Sequence, residues 1–229
     1  MKKLLALLLA AALPAFAIPN EINAEYQLTN KGITIGRVVE SFVRKGETYS
    51  ISSVSRSEGI LKALYDEQIT LNSVGRVGPA GLQPLQFDER RTRDSKRDVN
   101  ATFDWGRGVM HSRFKGETSE HALPRQTQDR ISMMYQFMHA KPRAGNLVIA
   151  MSNGRKVEHY TYRLVDEVRI ATPLGEFDTL HIERVTDTPR DSKAEVWLAK
   201  DHFNFPVRVV FDDPRGLRVE QTIVALQTR

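Results

Sequence analysis

The feature that most constrains the fold is a series of short segments in which apolar and polar residues alternate. Residues 98–105 are one such segment, and residues 217–227 are another. Alternation with a period of two is typical of β-strands that bury only one face. The sequence therefore predicts a mainly β protein. In 98–105 the residues that share the apolar face are Val99, Ala101, Phe103 and Trp105.

Turn-forming residues separate these segments. Asn153-Gly154 is the strongest turn signal, because both residues tolerate the positive φ that a type I′ hairpin requires. The four Gly and Pro residues between Gly75 and Gly81 predict a loop. We expect about 10–12 strands, each near the usual length of about 5–6 residues. The predicted strands include 32–44, 47–57, 98–105, 109–115, 147–152, 155–165, 177–185, 206–212 and 217–227.

One segment breaks this pattern, because residues 127–140 carry apolar residues at helical spacing. Thr127 can cap the start of a helix, and Asp129 suits its first turn. Pro142 with Gly145 would end it. A single helix cannot cover a sheet of ten strands, so the sheet must curl to bury its apolar face. The prediction is a curved antiparallel sheet, half-barrel or barrel-like, packed on one α-helix.

The first 17 residues have the order of a secretory signal peptide. Lys2 and Lys3 precede an apolar run, Leu4 to Leu13, and Ala15-Phe16-Ala17 supplies a cleavage site. The run is shorter than the roughly 20 residues that span a bilayer. We therefore expect a single domain over residues 18–229, exported to the periplasm without a transmembrane segment. The chain has no Cys, so it lacks the lipid-modified cysteine of a lipoprotein.

The charge pattern argues against a nucleic-acid partner. The formal charge of +5 falls to +3 when Lys2 and Lys3 leave with the signal peptide. The densest charged segment, Asp88 to Asp98, interleaves five cations with four anions, whereas a nucleic-acid surface is basic without such mixing. This segment is either a solvated hairpin tip or a contact for anionic lipid headgroups.

Catalytic signatures are missing from the sequence. It has no Gly-x-Ser-x-Gly, His-Glu-x-x-His or phosphate-binding loop, and nothing in it indicates a metal or another cofactor. His181 and Glu183 lie two apart on a predicted strand and share a face, so a hydrolase centred on them stays an alternative. We name no catalytic residue and expect a protein that is not an enzyme.

Methionine is concentrated in the predicted helix, which holds Met133, Met134 and Met138. Met is unbranched and polarizable, and it adapts to apolar surfaces of varied shape. A Met-rich helix on a curved sheet can cover a cavity for a lipid-like ligand, or its methionines can fill gaps in an ordinary core.

Several stretches together resemble the exported bacterial proteins of domain-of-unknown-function family 3108. They are the segment 81–87, the Pro-Leu-Gly hairpin 172–179, and Val196-Trp197-Leu198 followed by Asp201 and Pro206-Val207-Arg208, with 128–132 opening the helix. The resemblance extends over roughly residues 22–227. It implies a periplasmic β-rich domain similar in architecture to the half-barrels of lipoprotein carriers, and it supplies no catalytic residues.

These observations favour a non-enzymatic module that binds an apolar or amphipathic ligand, such as a lipid or acyl chain. One alternative is a cell-envelope interaction module with a solid core, which would contact a protein partner through a strand edge or through Arg90 to Arg97. Arg208, on a mostly apolar strand, needs a partner, which is either a carboxylate or a ligand headgroup. The predicted ligand-binding residues are Met134, Tyr135, Met138, Trp105, Trp197 and Arg208.

Overall fold

The computed structural model describes residues 18–139 and 145–229. The predicted signal peptide, residues 1–17, and Pro142 lie outside the described residues. Neither helix in the described part of the chain has the length and apolar character needed to cross a bilayer.

The fold is mainly β, as predicted, with a single large curved sheet and two short helices among the described residues. The helices are α1 (Gly59–Leu64) and α2 (Ser132–Gln136). The strands are β1 (Glu21–Asn30), β2 (Ile33–Lys45), β3 (Thr48–Ser57), β4 (Gln68–Gly78), β5 (Gly81–Arg91), β6 (Val99–Asp104), β7 (Val109–Phe114), β8 (Glu117–Ala122), β9 (Gln128–Asp129), β10 (Asn146–Ser152), β11 (Val157–Thr172), β12 (Gly175–Val185), β13 (Lys193–Ala199), β14 (Phe205–Asp212) and β15 (Arg218–Thr228).

The chain runs through the sheet as two meanders that meet at β1. Strand β1 pairs with β2 on one side and with β15, the last strand, on the other. We call β2–β8 the first wing and β9–β15 the second wing. All neighbouring strands are antiparallel except β9 and β10. The pairing of β1 with β15 therefore joins the two ends of the chain at the centre of the sheet.

The sheet curls so that the second wing packs against the first. The turn between β10 and β11 lies where the Asn153-Gly154 signal predicted it, and it holds Gly154 in the left-handed region, at φ +81°. The predicted type I′ hairpin is wrong, because Asn153 has no positive φ and the turn spans the four residues 153–156. The Ser112 hydroxyl on β7 donates a hydrogen bond of 2.6 Å to the Gly154 carbonyl. A Cβ at Gly154 would lie 2.5 Å from Val99 Cγ1 and 3.0 Å from a ring carbon of Phe87. This turn is therefore seated on β5, β6 and β7.

Two predictions about the sheet are wrong. It has 15 strands among the described residues, not 10–12, and the segment from Gly75 to Gly81 is not a loop. Instead β4 continues to Gly78, and β5 begins at Gly81. Glycine is required at position 75 of this strand, because a Cβ there would overlap the Gln83 carbonyl oxygen and lie 2.7 Å from the Tyr49 ring.

The helix predicted over 127–140 is also wrong in extent. Only Ser132–Gln136 is α-helical, and Gln128–Asp129 forms β9, which pairs with β10. The Asp129 carboxylate ends the strand and starts the helix, since its Oδ1 accepts the backbone N–H groups of Ile131 (3.0 Å) and Ser132 (2.8 Å). The predicted packing of the sheet on one long helix is thus replaced by two short helices.

Candidate functional site

The helix α2 lies between the two wings and is held by both. Its Gln136 side chain accepts the Leu82 N–H (2.8 Å) and donates to the Ala80 carbonyl (2.8 Å), which fixes it to the start of β5. Met133 of α2 and Phe137, the residue after the helix, pack with Tyr162 in an apolar cluster of the second wing. The interior of the curved sheet is therefore organised around this single turn of helix.

A row of inward-facing residues crosses five strands beside α2. The register aligns Ala24, Glu40, Ser53, Leu71 and Glu89 on β1 to β5. The next row towards Trp105 is apolar and buried at most of its positions, with Ile22, Phe42, Ile51 and Phe87 around Ser73. The interior thus changes from a packed apolar core to a more polar lining within one step along the strands.

Glu40 is the second residue of this row and one of its two acidic residues, with Glu89. It shares a strand face with Val38 and Phe42, both buried, but it keeps part of its own surface accessible. Its oxygens accept the Ser53 hydroxyl (3.1 Å) and the Tyr135 hydroxyl (3.2 Å). Burial raises the pKa of Glu40 to about 7 despite these two hydrogen bonds. Glu40 is thus a carboxyl group among buried apolar residues that keeps some accessible surface.

Asp129 is a second buried carboxylate, and its surroundings differ from those of Glu40. Burial raises the pKa of Asp129 to about 6, against hydrogen bonds from Ser132, Ser73 and the Ile131 N–H. The Ser73 hydroxyl donates to Asp129 at 2.5 Å and lies 3.0 Å from the Tyr49 hydroxyl. Since protein donors surround this fully buried carboxylate, it has a structural role, and Glu40 is the better candidate for contact with a ligand.

Partly exposed apolar residues also lie on the strands and the helix around Glu40. Leu28, Leu71 and Met134 pack against the core but are each partly exposed, whereas Met133 and Tyr135, the neighbours of Met134, are buried. Met134 contacts the apolar clusters of both wings. We call Glu40, Ser53, Leu71, Met134 and Tyr135 the Glu40 region.

A charged cluster of the second wing faces the end of the same row. The Arg184 guanidinium lies 3.9 Å from the Tyr160 ring centroid, and its Nε is buried without a hydrogen-bond partner among the described residues. Burial and the nearby Glu158 raise the pKa of Tyr160, against the opposing effect of Arg184 and Arg130. Arg130 also donates to Glu89 at 2.8 Å, which links this Arg184 cluster to the Glu40 row.

The structure brings together three of the six predicted ligand-binding residues. Tyr135 and Met138 are buried at the centre of the interior, and Met134 is partly exposed beside them. Tyr135 stacks on Phe42 at 5.2 Å and meets Phe205 edge-on at 5.6 Å. Trp105 lies elsewhere, at the far end of β6, where its Nε1 donates to the Pro84 carbonyl at 2.6 Å.

Trp197 on β13 and Arg208 on β14 are paired neighbours in the sheet. Trp197 alternates with Val196 and Leu198, which pack in the cluster of Met133 and Phe137, whereas Trp197 is partly exposed and packs against the larger core cluster. The Arg208 guanidinium lies 4.9 Å from the Trp197 ring centroid, and its Nη2 pairs with Glu220 at 2.7 Å. Arg208 therefore has the carboxylate partner expected for a structural ion pair.

His181 stacks on the Trp197 ring and does not pair with Glu183. Its ring lies 4.3 Å from Trp197, and its nitrogens contact Asp166 (3.2 Å) and Glu195 (3.0 Å). Glu183 is bound instead by Arg163. In residues 18–139 and 145–229 no group of three His, Asp or Glu side chains has the geometry of a metal site.

The sequence reasoning missed Glu40, Ser53 and Arg184. A signal for Glu40 was available, because it lies on the apolar face of the predicted strand 32–44, between Val38 and Phe42. An acidic residue at such a position must be paired, protonated or next to open space. Arg184 had no comparable signal.

The raised pKa of Glu40 predicts a specific pH dependence of stability. The folded protein holds this proton more tightly than the unfolded chain, whose glutamate pKa is about 4.3, so Glu40 lowers stability above pH 7 and ceases to do so as the pH falls towards 4. Glu40→Gln should therefore be at least as stable as the wild type at pH 8 and should flatten the pH profile between pH 5 and 8. Urea unfolding at several pH values measures this, and an unchanged slope would contradict the assignment.

Comparison with known proteins places the chain in a family. A family model described as "Protein of unknown function (DUF3108)" matches residues 25–222. The chain belongs to this family. The predicted resemblance is thus confirmed, and it carries no known activity. A search of curated proteins found no match.

Two solved structures are similar to this family member. A β-barrel-like protein of domain of unknown function DUF1849 from Brucella abortus has a TM-score of 0.59 at 12% identity, covering 93% of this chain and 99% of its own. A candidate lipoprotein from Parabacteroides distasonis covers 92% and 97% at 11% identity, with a TM-score of 0.36, which is too low for any argument. The first supports the barrel-like fold alone.

Proposed function

We propose that the protein is a non-enzymatic module, exported to the periplasm, that binds one amphipathic, lipid-like ligand between α2 and the curved sheet. The observation that carries the proposal is the partly accessible Glu40, deep among buried apolar residues. Ligand pockets are mostly apolar, with a few convergent polar groups and perturbed pKa values. The Glu40 region has this composition.

The proposed ligand has an apolar tail and an anionic head. Leu28, Leu71 and Met134 supply flexible apolar contacts for the tail. Arg184 supplies a cation whose buried Nε has no partner among the described residues, and such a group is satisfied by an acceptor on the ligand. A protonated Glu40 can donate a hydrogen bond to the ligand, which an ionised carboxylate cannot do.

The test is a titration of delipidated protein with a fluorescent fatty acid, cis-parinaric acid. We expect saturation near one probe per chain. Arg184→Gln should weaken binding by roughly tenfold, as expected for a lost charge-assisted hydrogen bond. Met134→Gln should weaken it by about fivefold, because the amide would lie against the tail. Circular dichroism establishes that each variant is folded.

Met151→Gln is the matched control, since Met151 on β10 is also partly exposed but lies outside the Glu40 region. It should bind the probe like the wild type. Two results together would refute the proposal, namely no saturable probe binding and no co-purified lipid in native mass spectra. That outcome would favour the interaction module with a solid core.

A further inference from the structure

The end of the sheet that carries α1 exposes an unusual amount of apolar surface. The helix α1 has no buried residue, and Ile60 and Leu64, four apart on one helical face, are 68% and 76% exposed. Ile33, at the start of β2, is 60% exposed, and Tyr65 is 41% exposed. We call Ile33, Ile60, Leu64 and Tyr65 the α1 patch. A clustered apolar patch of this kind marks an interaction surface.

The α1 patch is held in place against the sheet. The Glu58 N–H donates to the Ile35 carbonyl at 3.0 Å, and the Tyr65 N–H closes the helix on the Leu61 carbonyl at 2.6 Å. The Arg93 guanidinium lies 4.4 Å from the centroid of the Tyr65 ring. The patch is thus a fixed feature of the fold with a cation at its border.

A basic groove continues from the patch on the other side of the β5–β6 connection. Its volume is about 870 Å³, and Arg90, Lys96, Arg113 and Lys115 line it, with Asp98 as the carboxylate. Asp98 and Asp88 hold Arg90, at 3.4 and 3.5 Å. Lys96 and Arg113 have no ion-pair partner among the described residues, so their charge is free for a ligand.

The surface as a whole is positive. An apolar helix face flanked by Lys and Arg is the composition of segments that lie in the interface of an anionic membrane. Its cations are Lys31, Lys62, Arg90, Arg93, Lys96, Arg97, Arg113 and Lys115, and its carboxylates, besides Glu58, which Arg37 holds, are Asp66, Asp88, Asp94, Asp98 and Glu117.

We infer that this end of the protein docks on a membrane surface that contains anionic phospholipid. Ile60 and Leu64 enter the headgroup region, and the groove cations contact the phosphates. The inference is independent of the proposed ligand, since it uses no residue of the Glu40 region.

Co-sedimentation with vesicles tests the inference, using protein secreted from its own leader. The protein should bind vesicles of phosphatidylglycerol and phosphatidylcholine, bind phosphatidylcholine alone far less, and be released by 0.5 M salt, where the Debye length is about 4 Å. The double variants I60D/L64D and R113Q/K115Q should each bind roughly tenfold more weakly or worse.

Two control variants lie at the opposite end of the sheet. Leu174→Asp changes an exposed apolar residue of the β11–β12 turn, and Arg107→Gln removes an exposed cation of the β6–β7 turn. Both should bind vesicles like the wild type. Absence of binding to anionic vesicles, or equal binding by all the variants, would overturn the inference. Titration of I60D/L64D with the fatty acid separates the two proposals, because docking alone should be lost.

Discussion

Replacement of Gly154 by alanine is expected to lower the free energy of unfolding by about 2–4 kcal/mol. The φ of +81° is strained for any residue with a Cβ, and this Cβ would lie 2.5 Å from Val99 Cγ1 and 3.0 Å from Phe87. Neither neighbour can move easily, because Val99 and Phe87 are themselves buried in the first wing. The new methyl group would push the second wing away from the first.

Gly116→Ala is the matched control for this variant. Gly116 has nearly the same φ, +82°, but nothing lies within 4 Å of a Cβ there. Gly116→Ala should lower the free energy of unfolding only through the strain of a positive φ, by about 1 kcal/mol. Urea unfolding of both variants measures the difference, which is the contribution of the contact between the wings. Equal losses would show that the β10–β11 turn is not seated on β5 and β6.

Replacement of Asp129 by alanine should be the other large effect, with a loss of about 3–5 kcal/mol. The carboxylate accepts the N–H groups of Ile131 and Ser132 and the hydroxyl of Ser73. Without it the two N–H groups would be buried with no acceptor, and Ser73 would keep only the Tyr49 hydroxyl as a partner. The start of α2 would lose its cap, and Tyr135 and Gln136 would lose their support.

Asp129→Asn separates the cap from the charge. The asparagine oxygen can still accept the Ile131 and Ser132 N–H groups, so this variant should lose clearly less stability than Asp129→Ala. Because burial raises the pKa of Asp129 to about 6, Asp129→Asn should also reduce the gain in stability that the wild type shows as the pH falls through 6. Equal losses for both variants in chemical denaturation would contradict the capping role.

Local patterns predicted the hairpins well and failed where distant side chains decide the structure. The strands predicted at 32–44 and 47–57 agree closely with β2 and β3, since both the alternation and the Lys45-Gly46-Glu47 turn are local signals. Gly75 was read as a loop residue because its contact with Tyr49, 26 positions earlier on another strand, leaves no trace in the local pattern. The same limit applies to α2, which Asp129 and β10 shorten.

The candidate site was only half predictable. Helical spacing identified Met134, Tyr135 and Met138 as inward-facing residues, and the structure places them in the interior. The Glu40–Tyr135 hydrogen bond joins residues 95 positions apart, and it depends on how the sheet curls. Trp197 was expected on the interior wall from its aromatic character alone, and the structure packs it against the larger core cluster while its neighbours Val196 and Leu198 pack in the cluster of Met133 and Phe137.

The account depends most on open space beside Glu40 that accepts an amphipathic ligand. Methyl NMR of ¹³C-labelled methionine during a titration with the fatty acid tests it directly, because the methionines mark different depths of the interior. Met134 is partly exposed in the Glu40 region, whereas Met110 is fully buried in the first wing. We predict a saturable shift of the Met134 resonance at about one ligand per chain, with Met110 unchanged. A Met134 resonance that does not respond at saturating ligand would contradict the account.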